Sequence, residues 1–279
     1  MSEAGFIGAD GIELFTQSWL PDGPPRAVLA LVHGFGEHSG RYSTLVEHLV
    51  RSRYAVMSFD HRGHGRSPGR RGHIMEWREY REDVLAFLEY VRLACPGTTL
   101  FLYGHSLGGL IVSEYVLWYP QGLAGLIVSG NPLRPASAAK PHLIALSRIL
   151  SRIWPTFAVT LSIDGSALTR DPKVAKAYES DPLVHSRATV RWGSETLAAI
   201  DRVRARATEI RLPILIVHGE SDRVNSVEGS RELFDTVSSQ DKEIRIYPGG
   251  MHEPHNDIDR EQVASDVVDW LDRHTGGVR

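Results

Sequence analysis

The chain has 279 residues, 42% of them hydrophobic and 23% charged, which is ordinary for a soluble globular protein, and its formal net charge of −3 gives no electrostatic reason to expect nucleic acid. A single cysteine, Cys95, excludes an internal disulfide and a cysteine-based metal site, and it suits a reducing compartment. No run reaches the roughly 18 uninterrupted apolar residues of a membrane span, and the first residues lack the basic start and apolar core of a secretory signal, so a cytoplasmic protein is expected.

In chain order, Asp10-Gly11 reads as a hairpin turn between Phe6-Ile7 and the partly alternating run 12–19, an antiparallel start to a sheet. Residues 27–32 are continuously apolar, as for a strand covered on both faces, and lead into His33-Gly34-Phe35-Gly36-Glu37-His38. A helix over 42–51 and a second buried strand over 54–59 follow, and that strand ends in the polar, turn-rich loop Asp60-His-Arg-Gly-His-Gly-Arg-Ser67. Val84, Leu85, Phe87, Leu88 and Val91 recur at helical spacing within 77–94, and Pro96-Gly97 stops that helix. Strands over 99–103 and 123–129 flank a further helix, and this alternation predicts a mostly parallel sheet with helices on both faces.

The alternation lapses over 132–211, where helices are expected but no buried strand is evident. It resumes with a strand over 213–217, a helix over 227–237, a strand over 243–247 and a closing helix over 262–274. The expected organisation is one discontinuous core, 1–131 and 212–279, interrupted by a helical cap over 132–211.

Chemistry enters at Gly104-His-Ser106-Leu-Gly108, the G-x-S-x-G pattern of a nucleophile elbow, set between an apolar strand and a helix. A serine at so tight a corner needs glycines two residues to either side, and its hydroxyl needs a base, which in turn needs an orienting acid. Asp222 follows the 213–217 strand and His252 follows the 243–247 strand. The order Ser106, Asp222, His252 is the one expected of this elbow class. Glu220 and Asp60 also follow strands and compete for the acid, while His255 competes for the base. The N–H groups of Leu107 and Phe35 are the expected oxyanion donors. His33 and His38 lack the spacing of a zinc helix, and neither metal nor cofactor is implied.

With these residues placed, the chain resembles the α/β-hydrolase superfamily, and within it the monoacylglycerol lipase and lysophospholipase-like branch, more its bacterial than its mammalian members. The likeness is carried by His33-Gly-Phe-Gly-Glu-His-Ser-Gly-Arg-Tyr42, by Phe59-Asp-His-Arg-Gly-His-Gly-Arg-Ser67 and by Gly104-His-Ser-Leu-Gly-Gly109. Within the cap it is carried by Arg170-Asp-Pro-Lys-Val-Ala-Lys-Ala-Tyr-Glu-Ser-Asp-Pro-Leu-Val184. The resemblance implies a small lipid ester as substrate, one acyl chain on glycerol, with Glu37, Arg41, Tyr178 and His255 around its alcohol; a broader carboxylesterase or lysophospholipase with the same triad is the alternative. In the cap, Leu143, Leu146, Leu150 and Trp154 share a face beside Arg148 and Arg152. Such a stripe suits transient contact with a membrane surface or packing on the body of the protein.

Overall fold

The computed structural model describes residues 1–136 and 141–275, with the side chains of 141–146 outside the description. β1 (Ser2–Ile7) and β2 (Glu13–Trp19) form the antiparallel opening, and Asp10 and Gly11 take positive φ of 56° and 75° in the turn between them. The alternating series follows as β3 (Val28–Val32), α1 (Ser43–Arg51), β4 (Ala55–Phe59), α2 (Arg78–Ala94), β5 (Leu100–His105), α3 (Leu107–Val116) and β6 (Gly125–Ser129). Next come α4 (Pro141–Ile153), β7 (Ala158–Thr160), α5 (Gly165–Leu168), α6 (Pro172–Ser180), β8 (Arg187–Thr189) and α7 (Val190–Arg206). The series closes with β9 (Ile214–Gly219), α8 (Val227–Thr236), β10 (Lys242–Tyr247) and α9 (Arg260–Thr275).

Eight strands form the main sheet in the order β1-β2-β4-β3-β5-β6-β9-β10. Only the β1–β2 and β2–β4 pairings are antiparallel. The unbroken apolar runs have a direct cause in this arrangement. On β3, Val28, Ala30 and Val32 pack on one face with Val84, Leu88 and Ile111 of α2 and α3. Leu29 and Leu31 pack on the other with Leu45, Leu49 and Val267 of α1 and α9. A strand sandwiched between helix layers has no face left for alternating polar residues. Each fully buried aliphatic side chain contributes about 1.5–3 kcal/mol, so a charge on either face of β3 would be costly.

β7 and β8 pair antiparallel in a small sheet of their own, which the reading of 132–211 as helical did not anticipate. β7 is three residues long and largely exposed, too short to show a period in sequence. Parallel strands with right-handed crossovers bring their C-terminal ends to one edge of the sheet. The loops after β3, β5, β9 and β10 meet there.

Candidate active site

Ser106 sits at the corner between β5 and α3 with φ 51° and ψ −117°, a strained conformation for a residue with a β-carbon. Sterics explain its neighbours. A Cβ on Gly104 would lie 2.4 Å from Gly108 O, and one on Gly108 would lie 2.1 Å from Val32 O, so α3 can approach the sheet only where both lack side chains. The corner is tied down by Ser106 N donating to Ser129 O at 2.8 Å.

His252 and Asp222 converge on this corner from the loops after β10 and β9. His252 Nε2 lies 2.9 Å from Ser106 Oγ, and Nδ1 lies 2.7 Å from Asp222 Oδ2. The tautomer follows, because the ionised carboxylate only accepts: Nδ1 carries the proton and Nε2 is free to receive one from the serine. The other Asp222 oxygen accepts from Val224 N at 2.7 Å and Asn225 N at 2.9 Å, and His218 Nε2 adds a contact to Oδ2 at 3.0 Å. Burial opposes ionisation of Asp222, but the neighbouring His252 and His218 outweigh it and hold the carboxyl well below its usual range. Burial likewise pulls His252 down, yet the Asp222 charge more than compensates and leaves the imidazole above its ordinary value.

The rivals do not join this relay. Glu220 is exposed and accepts from Gly249 N at 3.1 Å. Asp60 is fully buried and braces two loops, accepting from Ser39 N at 2.8 Å, Ser39 Oγ at 2.7 Å and Arg66 N at 2.8 Å. His255 is stacked on Tyr42 with ring centroids 4.4 Å apart, and neither of its ring nitrogens has a partner among the described residues. Burial lowers its pKa to about 4.

Phe35 and Leu107 frame the serine from two sides. A Cβ on Gly34 would stand 3.2 Å from Ser106 Cβ, so the peptide carrying the Phe35 N–H runs directly past Ser106. Neither the Phe35 nor the Leu107 N–H donates to a protein acceptor among the described residues. The Leu107 N–H also opens α3, where backbone partial charge favours an anion. The loop carrying Phe35 rests on a nest of histidines that the sequence reading passed over. His33 Nε2 accepts from His61 N at 3.0 Å, so its Nδ1–H donates to Gly34 O at 2.8 Å, and His61 Nε2 donates to His33 O at 2.9 Å. His33, His61 and His64 are fully buried, and burial lowers all three pKa values well below the ordinary one.

Of the four residues assigned to the alcohol, Glu37 and Tyr178 line the cavity at Ser106, while Arg41 and His255 stand behind that wall. Glu37 Oε1 accepts from Gly34 N at 2.6 Å and Tyr42 Oη at 2.7 Å, and Oε2 accepts from Arg41 Nε at 3.2 Å. Arg41 stacks over Tyr178 at 4.7 Å and reaches both oxygens of Glu253 at 2.9 and 2.7 Å. Glu253, which also lines the cavity, was not anticipated. It follows His252 directly, but nothing in local spacing shows that its side chain turns to an arginine 212 positions earlier. Burial and the neighbouring Glu253 charge push the Glu37 carboxyl up; burial also opposes ionisation of Glu253, but Arg41 holds that carboxyl below its usual value.

The cavity measures about 850 Å³ and is lined mainly by apolar groups, among them Val159, Leu161, Trp192, Leu197 and Ile200 from the segment between β6 and β9. Outside, the same segment exposes Ile149, Ile153 and Trp154, the last at 57%. Leu150 is half-buried, and the side chains of Leu143 and Leu146 lie outside the described residues. Among the described residues no helix is long and apolar enough to cross a membrane, and no three His, Cys, Asp or Glu side chains are grouped to hold a metal ion.

Residues 23–259 match the family Hydrolase_4, described as serine aminopeptidase, S33. The chain is 35% identical over 274 residues to the monoacylglycerol lipase of Mycolicibacterium smegmatis, covering 98% of both chains. It is 32% identical over 273 residues to the monoglyceride lipase of Homo sapiens, covering 96% of this chain and 90% of that one. Among solved structures it resembles the monoacylglycerol lipase of Paleococcus ferrophilus with a TM-score of 0.86 and 34% identity, over 94% of this chain and all of that one.

Proposed function

The chain belongs to the Hydrolase_4 family of serine hydrolases, and from that premise we propose that it cleaves monoacylglycerols to glycerol and a free fatty acid. The observation that carries this reading is the unbroken relay from Asp222 through His252 to Ser106, opening into a largely apolar cavity with one polar wall. As Ser106 Oγ attacks the ester carbonyl, its proton passes to His252 Nε2 and the charge on Asp222 stabilises the imidazolium. The carbonyl oxygen becomes an oxyanion between the N–H groups of Phe35 and Leu107, each worth about 2.7–4 kcal/mol to the transition state. Collapse breaks the bond to the alcohol, which leaves with the proton from His252. Water then repeats the sequence on the acyl-enzyme and releases the acid.

Substrate shape follows from the two walls. The acyl chain lies among the apolar residues, where each buried methylene contributes about 0.8 kcal/mol. Glycerol hydroxyls face Glu37, Tyr178 and Glu253, with Arg41 and His255 supporting from behind. Such partners matter because a buried hydroxyl without a hydrogen bond costs about 1–3 kcal/mol. Residues 132–211 act as a cap on a discontinuous core of 1–131 and 212–279, and the apolar outer face at Ile149, Ile153 and Trp154 rests on a lipid surface while substrate enters.

One substrate panel tests these statements together. Ser106→Ala should abolish turnover, and wild type should prefer monoolein to an ethyl ester of the same acid and to lysophosphatidylcholine. Preference for the lysophospholipid would reject the glycerol assignment. Replacing Ile149 and Ile153 with serine should reduce rates on vesicles more than on dispersed substrate, and an unchanged ratio would refute the surface contact.

A further inference from the structure

The cap segment 167–185 is stitched at both ends to loops that supply reacting groups. At one end Leu168 O accepts from Glu253 N at 2.8 Å and Ala167 O accepts from His252 N at 3.4 Å, so this segment runs alongside the loop of the base. Asp257, 1% exposed, anchors the junction. One of its oxygens accepts from Arg170 N at 2.7 Å and Ile258 N at 2.9 Å. The other accepts from Arg170 Nε at 2.9 Å and from the N–H of Met251, the residue before His252, at 2.9 Å. Thr169 Oγ1 donates to Asn256 O at 3.0 Å, and Arg170 extends further to Asp259.

At the other end His38 Nε2 donates to Asp181 at 2.9 Å, because His38 Nδ1 is committed to accepting from Gly40 N. His185 N donates to Gly36 O at 2.8 Å, one residue beyond Phe35. Between the two ends, Asp171 caps α6 by accepting from Lys173 N at 2.9 Å, and Tyr178 lies under the Arg41 guanidinium. A capped helix is a stiff spacer, and both of its anchors are charge-assisted contacts.

We propose that Asp257 is a positioning residue. Through Arg170 it makes the segment 167–185 a strap that keeps the base on its loop in register with the oxyanion donor at Phe35. The inference rests on the Ser106–His252–Asp222 reading. Asp257 touches no reacting atom, and its effect passes through the Met251 peptide to the imidazole. Removing its charge takes the counterion from a partly buried guanidinium, and the single carbonyl oxygen of an asparagine can serve only one of the two donor pairs, Arg170 N with Ile258 N or Arg170 Nε with Met251 N, so the loop must shift to compensate. Displacement of a catalytic group by about 1 Å costs on the order of a hundredfold in rate.

The test measures kcat, KM and the rate of fluorophosphonate labelling of Ser106. Asp257→Asn and Arg170→Ala should each lower kcat and labelling by about 10–100-fold with KM little changed. Arg170→Lys should recover part of the loss, and the double variant should be no worse than the more impaired single, because both break one contact. Arg204→Ala, which removes an exposed 2.7 Å pair with Glu232, should leave labelling at the wild-type rate. Folded Asp257→Asn that labels like wild type, or single losses that multiply in the double, would overturn the inference. Should Asp257→Asn fail to fold, the two Arg170 variants decide the question alone. Ser106→Ala that still labelled would instead refute the triad, so the two failures are distinct.

Discussion

Buried histidines of two kinds flank Ser106, and they are driven in opposite directions. His252 and His33 are both almost inaccessible to water, and desolvation acts on each against the charged form. Next to His252 stands the ionised Asp222; the His33, His61 and His64 rings have chiefly one another and backbone carbonyls as partners. The former is therefore ready to accept a proton, and the latter cluster stays neutral and serves as scaffold beneath the loop that carries Phe35. Burial disfavours the charged imidazole, and a carboxylate in contact favours it.

The largest expected effect comes from making the first group resemble the second. Asp222→Asn leaves burial acting on His252 with only the weaker Glu253 and Glu37 charges to oppose it and permits the wrong tautomer, so kcat should fall on the order of 10⁴-fold, the loss found for the same change in a serine protease. Steady-state kinetics on the folded variant check this, and a loss below about tenfold would break the comparison.

A second effect separates activity from stability on acidification. In the histidine nest the folded pKa values lie below the unfolded one, so below about 6.5 the unfolded chain binds more protons. The nest's contribution to stability is thus complete above the unfolded pKa and is lost as pH falls toward the folded values. His252 has the opposite sign: its folded value is raised, so its contribution is present below the unfolded pKa and is lost as pH rises through the folded value. The proposed mechanism needs His252 neutral, so the acid limb of kcat/KM should lie above the unfolded histidine pKa. The molecule should therefore lose activity at a higher pH than its fold. Urea unfolding and rate profiles over the same pH series test this, and coincident midpoints would contradict it.

The smallest effect sharpens the role of neighbouring charge. Glu253 and Glu37 also raise His252, after Asp222. Glu253→Gln should move the acid limb downward by less than Asp222→Asn does, because a lost anion and an Arg41 cation released from its partner both disfavour the imidazolium, and an unmoved or raised limb would show that Glu253 does not act on His252 through its charge.

What could be read from sequence was whatever local sterics or periodicity encode. The Ser106 elbow was legible because Gly104 and Gly108 must yield to backbone atoms a few ångströms away, a demand that holds wherever the corner is built. The strands of the parallel sheet were legible because a strand covered on both faces has no polar alternation. β1 extends back to Ser2, through residues that carry no apolar pattern, because β2 supplies its pairing. The contacts of Asp257 with Arg170, of Glu253 with Arg41 and among the buried histidines join segments remote in the chain. No residue type declares whether its side chain will be desolvated or which charge will lie beside it. Those two quantities set protonation and position, and they exist only after the layers have packed.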